Sequence, residues 1–313
     1  MRLVFMGTPD FAVPTLRKLL ESSHQVTSVF TQSDKRSGRG GRMTMSPVKR
    51  FSSEWGIPVY QPDKLNSDVW RPVFQSLQAD AYLVVAYGRI LPPWLLDIPP
   101  QGAINLHASL LPKYRGAAPI NWAIANGEVV TGITTMKIDT GLDTGGILLQ
   151  ETVAIGPEET ASDLRDRLAI IGADLMLKTM DALESGTLAP VPQNNELASY
   201  APILKKSDGL IDWTQSSSKV NDKVRGFNPW PGAYTLLNGT LIHIWKSRPV
   251  EINSSTQATG VLIRDPVLGC VVFCHPGQLQ LLEVQQESRK RITATEFLNG
   301  LRLGEGQTLS LGR

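Results

Sequence analysis

The sequence predicts an α/β protein. An N-terminal Rossmann-like domain, a mostly parallel sheet with helices on both faces, is followed by a smaller C-terminal OB-like β-barrel. Three observations predict it. Apolar runs of strand length alternate with helical patterns through the first half of the chain, which implies βαβ units and a covered parallel sheet. The last third holds short strands separated by tight turns, the pattern of a small barrel. The 313 residues also exceed the roughly 150 expected of one domain. The expected division is a first domain over 1–188, a linker over 189–207 and a second domain over 208–313.

Residues 2–7 (RLVFMG) are a short apolar run and hence a buried strand. Pro9 follows, a residue favoured in a first helical turn. Val13, Leu16 and Leu20 then recur at helical spacing. Further strands are expected over 26–32 (VTSVFTQ), 58–61 (PVYQ) and 104–109 (INLHAS), with a central one over the β-branched and aromatic 79–88 (ADAYLVVAYG). Two more, 131–139 and 145–155, precede a long helix over 161–184 whose apolar face carries Leu164, Leu168, Ile171, Leu175 and Leu183. Residues 189–207, with three prolines and adjacent Asn194 and Asn195, have the composition of a linker. Beyond it, 233–246 is a hairpin turning at Asn238-Gly239, the favoured type I′ pair. GVLIRD, GCVVFCH and QLQLLEVQQ supply three further strands.

Composition excludes several classes of protein. At 42% hydrophobic and 19% charged residues, the chain buries enough apolar surface to fold, unlike a disordered one. No stretch approaches the roughly 20 apolar residues of a membrane helix, so no membrane partner is expected. The opening MRLVFMGTPDF has the pattern of a strand entering a turn, without the basic, apolar and small-residue regions of a signal peptide. A cytoplasmic location is expected, and a monomer, since no long exposed apolar edge is evident. Cys270 and Cys274 on one strand lie about 13 Å apart at about 3.3 Å per residue, too far for a bridge, which predicts reduced buried thiols. The four histidines are scattered, without HExxH or CxxC spacing, so no metal is expected. Charge is concentrated: residues 34–50 hold six basic residues and one acid, a solvated loop or a footprint for a polyanion such as RNA.

Two segments carry candidate chemistry, and one resembling a nucleotide turn does not. Gly7-Thr8-Pro9-Asp10-Phe11 matches neither GxGxxG nor GxxxxGK[ST], and Pro9 removes an N–H that a phosphate cradle uses. It is a tight strand-to-helix turn. In NLHASLLPKYRGAAPI, Asn105 and His107 stand two apart near a strand end, so they project on one face about 7 Å apart. Ligands of open α/β sheets collect at such C-terminal strand ends. An amide and an imidazole there suit a carbonyl that becomes an oxyanion. The Gly-rich 139–146 loop between two strands carries Asp139 and Asp143; Asp139 is read as a turn cap.

NLHASLLPKYRGAAPI, with IDTGLDTGGIL downstream and GTPDF at the start, resembles the folate-dependent formyltransferases that use 10-formyltetrahydrofolate. SGRGGRMTMSPVK, residues 199–213 and RGFNPWPGA extend the likeness over essentially the whole chain. Within the superfamily they point to the members acting on initiator methionyl-tRNA. Gly146 stands where an acidic residue is common, and 278–291 matches loosely. The resemblance implies a catalytic first domain, a tRNA-binding second domain, 10-formyltetrahydrofolate as co-substrate with no metal, and initiator methionyl-tRNA as partner.

It also implies roles. Asn105 and His107 donate hydrogen bonds to the formyl oxygen, while Asp143 keeps His107 in its donating form and orders a proton-relaying water. Folate is expected against Gly88, Ile90 and Leu91 and the turn Ser109, Leu110, Leu111 and Pro112. Arg36, Arg39, Arg42 and Lys49 are expected to meet tRNA phosphates. The core motif alone leaves open a formyltransferase acting on a small amine, a formyl-folate hydrolase, and a non-enzymatic RNA-binding protein. The basic loop and the extra β-rich domain favour a macromolecular amine.

Overall fold

The computed structural model describes residues 1–37, 42–250, 257–302 and 308–312. It contains two compact units whose segments interleave along the chain. The first comprises Met1–Gly116, Thr131–Val153 and Arg165–Tyr200, the second Ala117–Val130, Ala154–Leu164 and Ala201–Arg313.

The first unit is built on strands β1 (Arg2–Gly7), β2 (Gln25–Phe30), β5 (Val59–Tyr60), β6 (Ala81–Val85), β7 (Ala103–His107), β9 (Val130–Lys137) and β10 (Ile147–Ala154). They form one sheet in the order β10-β9-β7-β6-β1-β2-β5. β1 is parallel to β2 and β6, β2 to β5, and β6 to β7, while β9 runs antiparallel to β7. The mostly parallel sheet is therefore as predicted. All five residues of β6 are buried, as a strand covered on both faces requires. A small hairpin, β3 (Lys35–Ser37) with β4 (Arg42–Thr44), and a two-residue strand, β8 (Arg115–Gly116), lie off this sheet.

Helices α1 (Val13–Leu20), α2 (Pro47–Glu54), α3 (Ser67–Ser76), α4 (Pro93–Leu96) and, from Arg165 onward, the long α6 (Ala161–Glu184) complete this unit. One sheet face, with Val4, Met6, Tyr82 and Val84, packs on Phe74 of α3 and Leu95 of α4. On the other, Leu106 and Ile133 press so closely on Gly172 of α6 that a Cβ there would overlap both. Strand order reverses on either side of β1, so the C-terminal ends of β1, β6 and β7 bring Gly7, Val85 and His107 to one edge of the sheet, where open α/β folds place ligands. A Cβ on Gly7 would press on Phe5, Ala12 and the Val85 carbonyl, so glycine is what lets these ends converge. The Thr8 hydroxyl donates to the Tyr87 carbonyl at 3.0 Å and joins two of the loops.

The second unit contains α5 (Pro119–Ala125), α7 (Ser217–Gly226), β12 (Ala233–Leu237), β13 (Thr240–Val250), β14 (Val261–Asp265), β15 (Gly269–Phe273), β16 (Gln278–Gln286), β17 (Ile292–Thr293), α8 (Ala294–Leu301) and β18 (Thr308–Ser310). The two-residue strand β11 (Tyr200–Ala201) marks the passage between units. The antiparallel order is β12-β13-β16-β15-β14-β18, with β17 on β16. A bridge between Leu236 of β12 and Gly312, with the Gly312 N–H donating at 2.7 Å, closes the curl. Asn238 (φ 50°) and Gly239 (φ 79°) turn the first hairpin with the two left-handed residues that a type I′ turn needs. Ile211, Trp213, Leu262, Val272, Leu279 and Phe297 are among the residues filling the interior. Cys270 and Cys274 are free thiols in that interior, and burial pushes both up to about 12. Among the described residues no helix is long and apolar enough to cross a membrane, and no cluster of His, Cys, Asp and Glu could hold a metal ion.

Candidate active site

Asn105 and His107 occupy alternate positions of β7. Asn105 is in register with Val84 of β6 and Met136 of β9, and His107 with Thr134 of β9. Both therefore project from the face opposite Leu106 and α6. Asn105 is half-buried, and its carboxamide makes no hydrogen bond to the described residues.

His107 is 6% exposed. Its Nε2 donates to the Tyr114 carbonyl at 2.9 Å, and a carbonyl can only accept, so the hydrogen on that nitrogen is fixed. Nδ1 faces Oδ2 of Asp143 at 3.6 Å. Asp143 is held in turn: the Gly116 N–H donates to Oδ2 at 2.8 Å. Oδ1 accepts no hydrogen bond within the described residues. Asp143 (φ 52°) and Tyr114 (φ 61°) both adopt the left-handed backbone, which costs of order 1–3 kcal/mol in a non-glycine residue and persists only under outside support.

That support is visible at the Asp143 loop. Asp139 Oδ1 accepts from the Gly141 N–H at 3.0 Å and the Thr144 hydroxyl at 2.7 Å, the turn cap read from the sequence. A Cβ on Gly145 would run into the Lys137 carbonyl, so only glycine lets the loop close against β9.

The 109–112 turn is braced from beneath. The fully buried Ser109 donates its hydroxyl to the Lys113 carbonyl at 2.6 Å. Thr134 donates to the Ser109 carbonyl at 2.6 Å, and Gln150 donates to the Leu111 carbonyl at 2.9 Å. Leu111 is buried, Leu110 and Pro112 are half-buried, and the Leu111–Pro112 peptide is cis. Across the strand ends, Gly88 (φ 75°) is exposed, Leu91 is buried and Ile90 is 93% exposed. Gln32 Nε2 donates to the Tyr87 and Gly88 carbonyls at 3.0 and 3.2 Å and fixes this loop.

Of the basic residues, Arg36 stands exposed on β3. Arg39 lies outside the described residues, and Arg42 is described by its backbone in β4 alone. Lys49 is ion-paired: its Nζ lies 2.7 Å from Asp34 Oδ2, and Gln61 donates to the other Asp34 oxygen at 2.8 Å. These two donors hold the Asp34 carboxyl below its ordinary range. Lys49 thus sits in a clamp at the root of the hairpin. In the second unit Arg291 lies 4.4 Å over the Trp245 ring, which stacks on His243 at 5.2 Å. Sequence patterns gave no signal for that aromatic and cationic surface, nor for Tyr114 and Thr134, whose contributions depend on backbone direction and strand register.

Two family descriptions match the chain: "Formyl transferase" over residues 1–180 and "Formyl transferase, C-terminal domain" over 203–302. The chain is 49% identical over 312 residues to a methionyl-tRNA formyltransferase of Solibacter usitatus, covering all of this chain and 99% of that one. It is 47% identical to the methionyl-tRNA formyltransferase of Geobacter metallireducens, covering 98% of this chain and 97% of that one. Among solved structures, WlaRD, a sugar 3N-formyl transferase crystallised with dTDP and 5-N-formyl-THF, superposes with a TM-score of 0.66 at 18% identity, over 93% of this chain and 99% of that one. HypX of Aquifex aeolicus in complex with tetrahydrofolic acid gives a TM-score of 0.64 at 17% identity, over 97% of this chain and 48% of that one. At these identities the structural likeness speaks for the fold.

Proposed function

The chain belongs to the formyl transferase family, and from that premise we propose that it transfers the formyl group of 10-formyltetrahydrofolate to the α-amine of methionyl initiator tRNA. The observation that supports the chemistry is the approach of Asp143 to within 3.6 Å of His107 at the end of β7, with the unpartnered Asn105 carboxamide on the same face of that strand.

In the reaction a C–N bond forms between the amine and the formyl carbon, the bond from that carbon to folate N10 breaks, and a proton passes from the amine to N10. An α-amine titrates near 7.7–8.0 in reference peptides, so a strong base is unnecessary. The site must instead position the reactants, stabilise charge on the formyl oxygen and provide a proton path. Asn105 is the donor available to the formyl oxygen. His107 acts alongside it: its Nε2 is committed to the Tyr114 carbonyl, so Nδ1, on the Asp143 side, is the nitrogen left for the chemistry. Asp143 offers Oδ1 to take the proton from the amine and return it to N10.

10-Formyltetrahydrofolate supplies the activated one-carbon unit, and the residues present fit it. Ile90 offers an exposed apolar wall, the braced Leu110, Leu111 and Pro112 turn a second, and the Gly88 loop accessible backbone. The RNA reading is supported by the names of the relatives, the basic hairpin and the cationic, aromatic surface around Trp245, since ring faces and guanidinium groups hold unpaired bases and phosphates. A cytoplasmic monomer completes the proposal.

The test is formyl transfer from 10-formyltetrahydrofolate to methionyl initiator tRNA, with methionyl elongator tRNA and water as competing acceptors. Strong preference for the initiator is expected. Equal use of the elongator tRNA, or folate turnover without an amine, overturns the proposal.

A further inference from the structure

Residues 193–199 lie in the segment read from sequence as a linker, yet they reach both halves of the candidate site. Gln193 Nε2 donates to the carbonyls of Asp143 and Gly145, each at 2.8 Å. Its Oε1 accepts from Arg115 Nε at 3.1 Å and Nη2 at 2.7 Å. Arg115 is only 3% exposed, and its Nη2 also donates to Asn195 Oδ1 at 2.8 Å. Six positions on, Ser199 Oγ accepts the Tyr114 N–H at 2.9 Å, and the Ser199 carbonyl accepts the Arg115 N–H at 2.8 Å. Tyr114 is the residue whose carbonyl fixes His107.

We propose that Gln193 and Ser199 are positioning residues, and that the segment joining them braces the two left-handed residues on which catalysis depends. Gln193 sets the loop that aims the Asp143 carboxylate. Ser199 sets the Tyr114 carbonyl and through it the His107 ring. The proposal rests on the reading of Asp143 and His107 as catalytic. Its physical basis is that neither φ 52° at Asp143 nor φ 61° at Tyr114 is a conformation its own side chain favours. The 193–199 segment contributes hydrogen bonds to both, through Gln193 to the Asp143 and Gly145 carbonyls and through Ser199 to the Tyr114 N–H, beside the Gly116 N–H that holds the Asp143 carboxylate. The chemistry of residue 193 is specific. It must donate twice on one side and accept from a guanidinium on the other, and only a carboxamide does both.

The two roles of Gln193 separate in Gln193→Glu. A glutamate keeps the Arg115 partner, and indeed strengthens it, but turns an acceptor oxygen toward two carbonyls and releases the Asp143 loop. If Gln193 only anchored Arg115, this variant would behave as the parent. The expected result is a kcat lower by about 10- to 100-fold, the range a roughly 1 Å misplacement of a catalytic group produces. KM for folate and for tRNA should stay within about threefold, and far-UV circular dichroism should show the fold intact. Ser199→Ala is expected to lower kcat in the same way, and Ser199→Thr, which keeps the hydroxyl, to restore it. In an Asp143→Asn background Gln193→Glu should add less than about twofold, because residues acting through one group are not additive. Parent-like turnover in Gln193→Glu, or an undiminished effect in the Asp143→Asn background, overturns the brace. Parent-like turnover in Asp143→Asn alone instead removes the catalytic reading on which the brace rests.

Discussion

His107 turns Nδ1 toward Asp143 Oδ2 across 3.6 Å while its Nε2 is fixed on the Tyr114 carbonyl at 2.9 Å. The imidazole cannot rotate to serve another partner without giving up that carbonyl. In the proposed reaction, proton transfer at this edge falls to the carboxylate. Asp143→Asn keeps an oxygen for the Gly116 N–H and so preserves the loop, but places an NH₂ where a proton acceptor stood. The expected loss in kcat is about 10²- to 10⁴-fold, the usual worth of a positioned acid–base group. Single-turnover formyl transfer checks it, and filter binding should show tRNA affinity unchanged.

Asn105 behaves differently from most polar residues near a core, because its carboxamide has no protein partner among the described residues. Replacing it leaves no buried group unsatisfied, so Asn105→Ala should change unfolding free energy by less than about 1 kcal/mol. Its kcat should nevertheless fall about 10²- to 10³-fold, as expected for loss of one oxyanion donor. Asn105→Asp sets a carboxylate against the same developing charge and should fall at least as far. Calorimetry beside steady-state kinetics separates the two effects. A large stability loss with modest kinetic change would show that the residue is structural.

Period-two spacing made one part of this site legible: residues two apart near the end of an apolar strand share a face, and Asn105 and His107 do. The Gly-rich 139–146 segment was legible as a loop, and Asp139 as its cap, but nothing in spacing says that Asp143 reaches His107. β9 runs antiparallel to β7 and ends beside Ile104, so the loop after it must turn back along the strand to bring Asp143 within 3.6 Å of His107. The direction of the imidazole was not legible at all, because it depends on the carbonyl of a tyrosine held at φ 61°. The charge run at 34–50 concealed the Asp34–Lys49 pair, since composition counts charges without showing which are neutralised. Long helix α6 stood out by its apolar stripe, whereas α5, seven residues from Pro119 to Ala125, is too short to display a period.

The basic hairpin should act on RNA binding and leave folate untouched. Arg36→Leu, Arg39→Leu and Arg42→Leu are each expected to raise KM for tRNA. Removing one phosphate partner should reduce the slope of log affinity against log salt by about 0.7–0.9. Lys49→Ala should differ, because Lys49 already neutralises Asp34 at 2.7 Å. It removes the clamp at the hairpin root rather than a phosphate partner, so the salt slope should hold while the hairpin amides lose hydrogen-exchange protection. Salt titrations of tRNA affinity across the four variants distinguish a residue that meets phosphate from one that anchors the hairpin.

The barrel interior gives a last expectation, in the chemistry of its two thiols. Burial raises Cys270 and Cys274 from 9.0 to about 12, and thiols react as thiolates. At pH 8 the native protein should resist iodoacetamide at both positions, and denaturant should expose both to rapid labelling. The sign for stability follows from linkage. A group whose proton is held more tightly when folded supports the native state fully below its unfolded value and loses that support as pH rises toward the folded one. The unfolding midpoint should accordingly decline between about pH 9 and pH 12. Cys270→Ala with Cys274→Ala should flatten that decline. Native labelling at pH 8 at the rate of a free thiol would mean that the barrel opens between β14 and β16, where these side chains are enclosed.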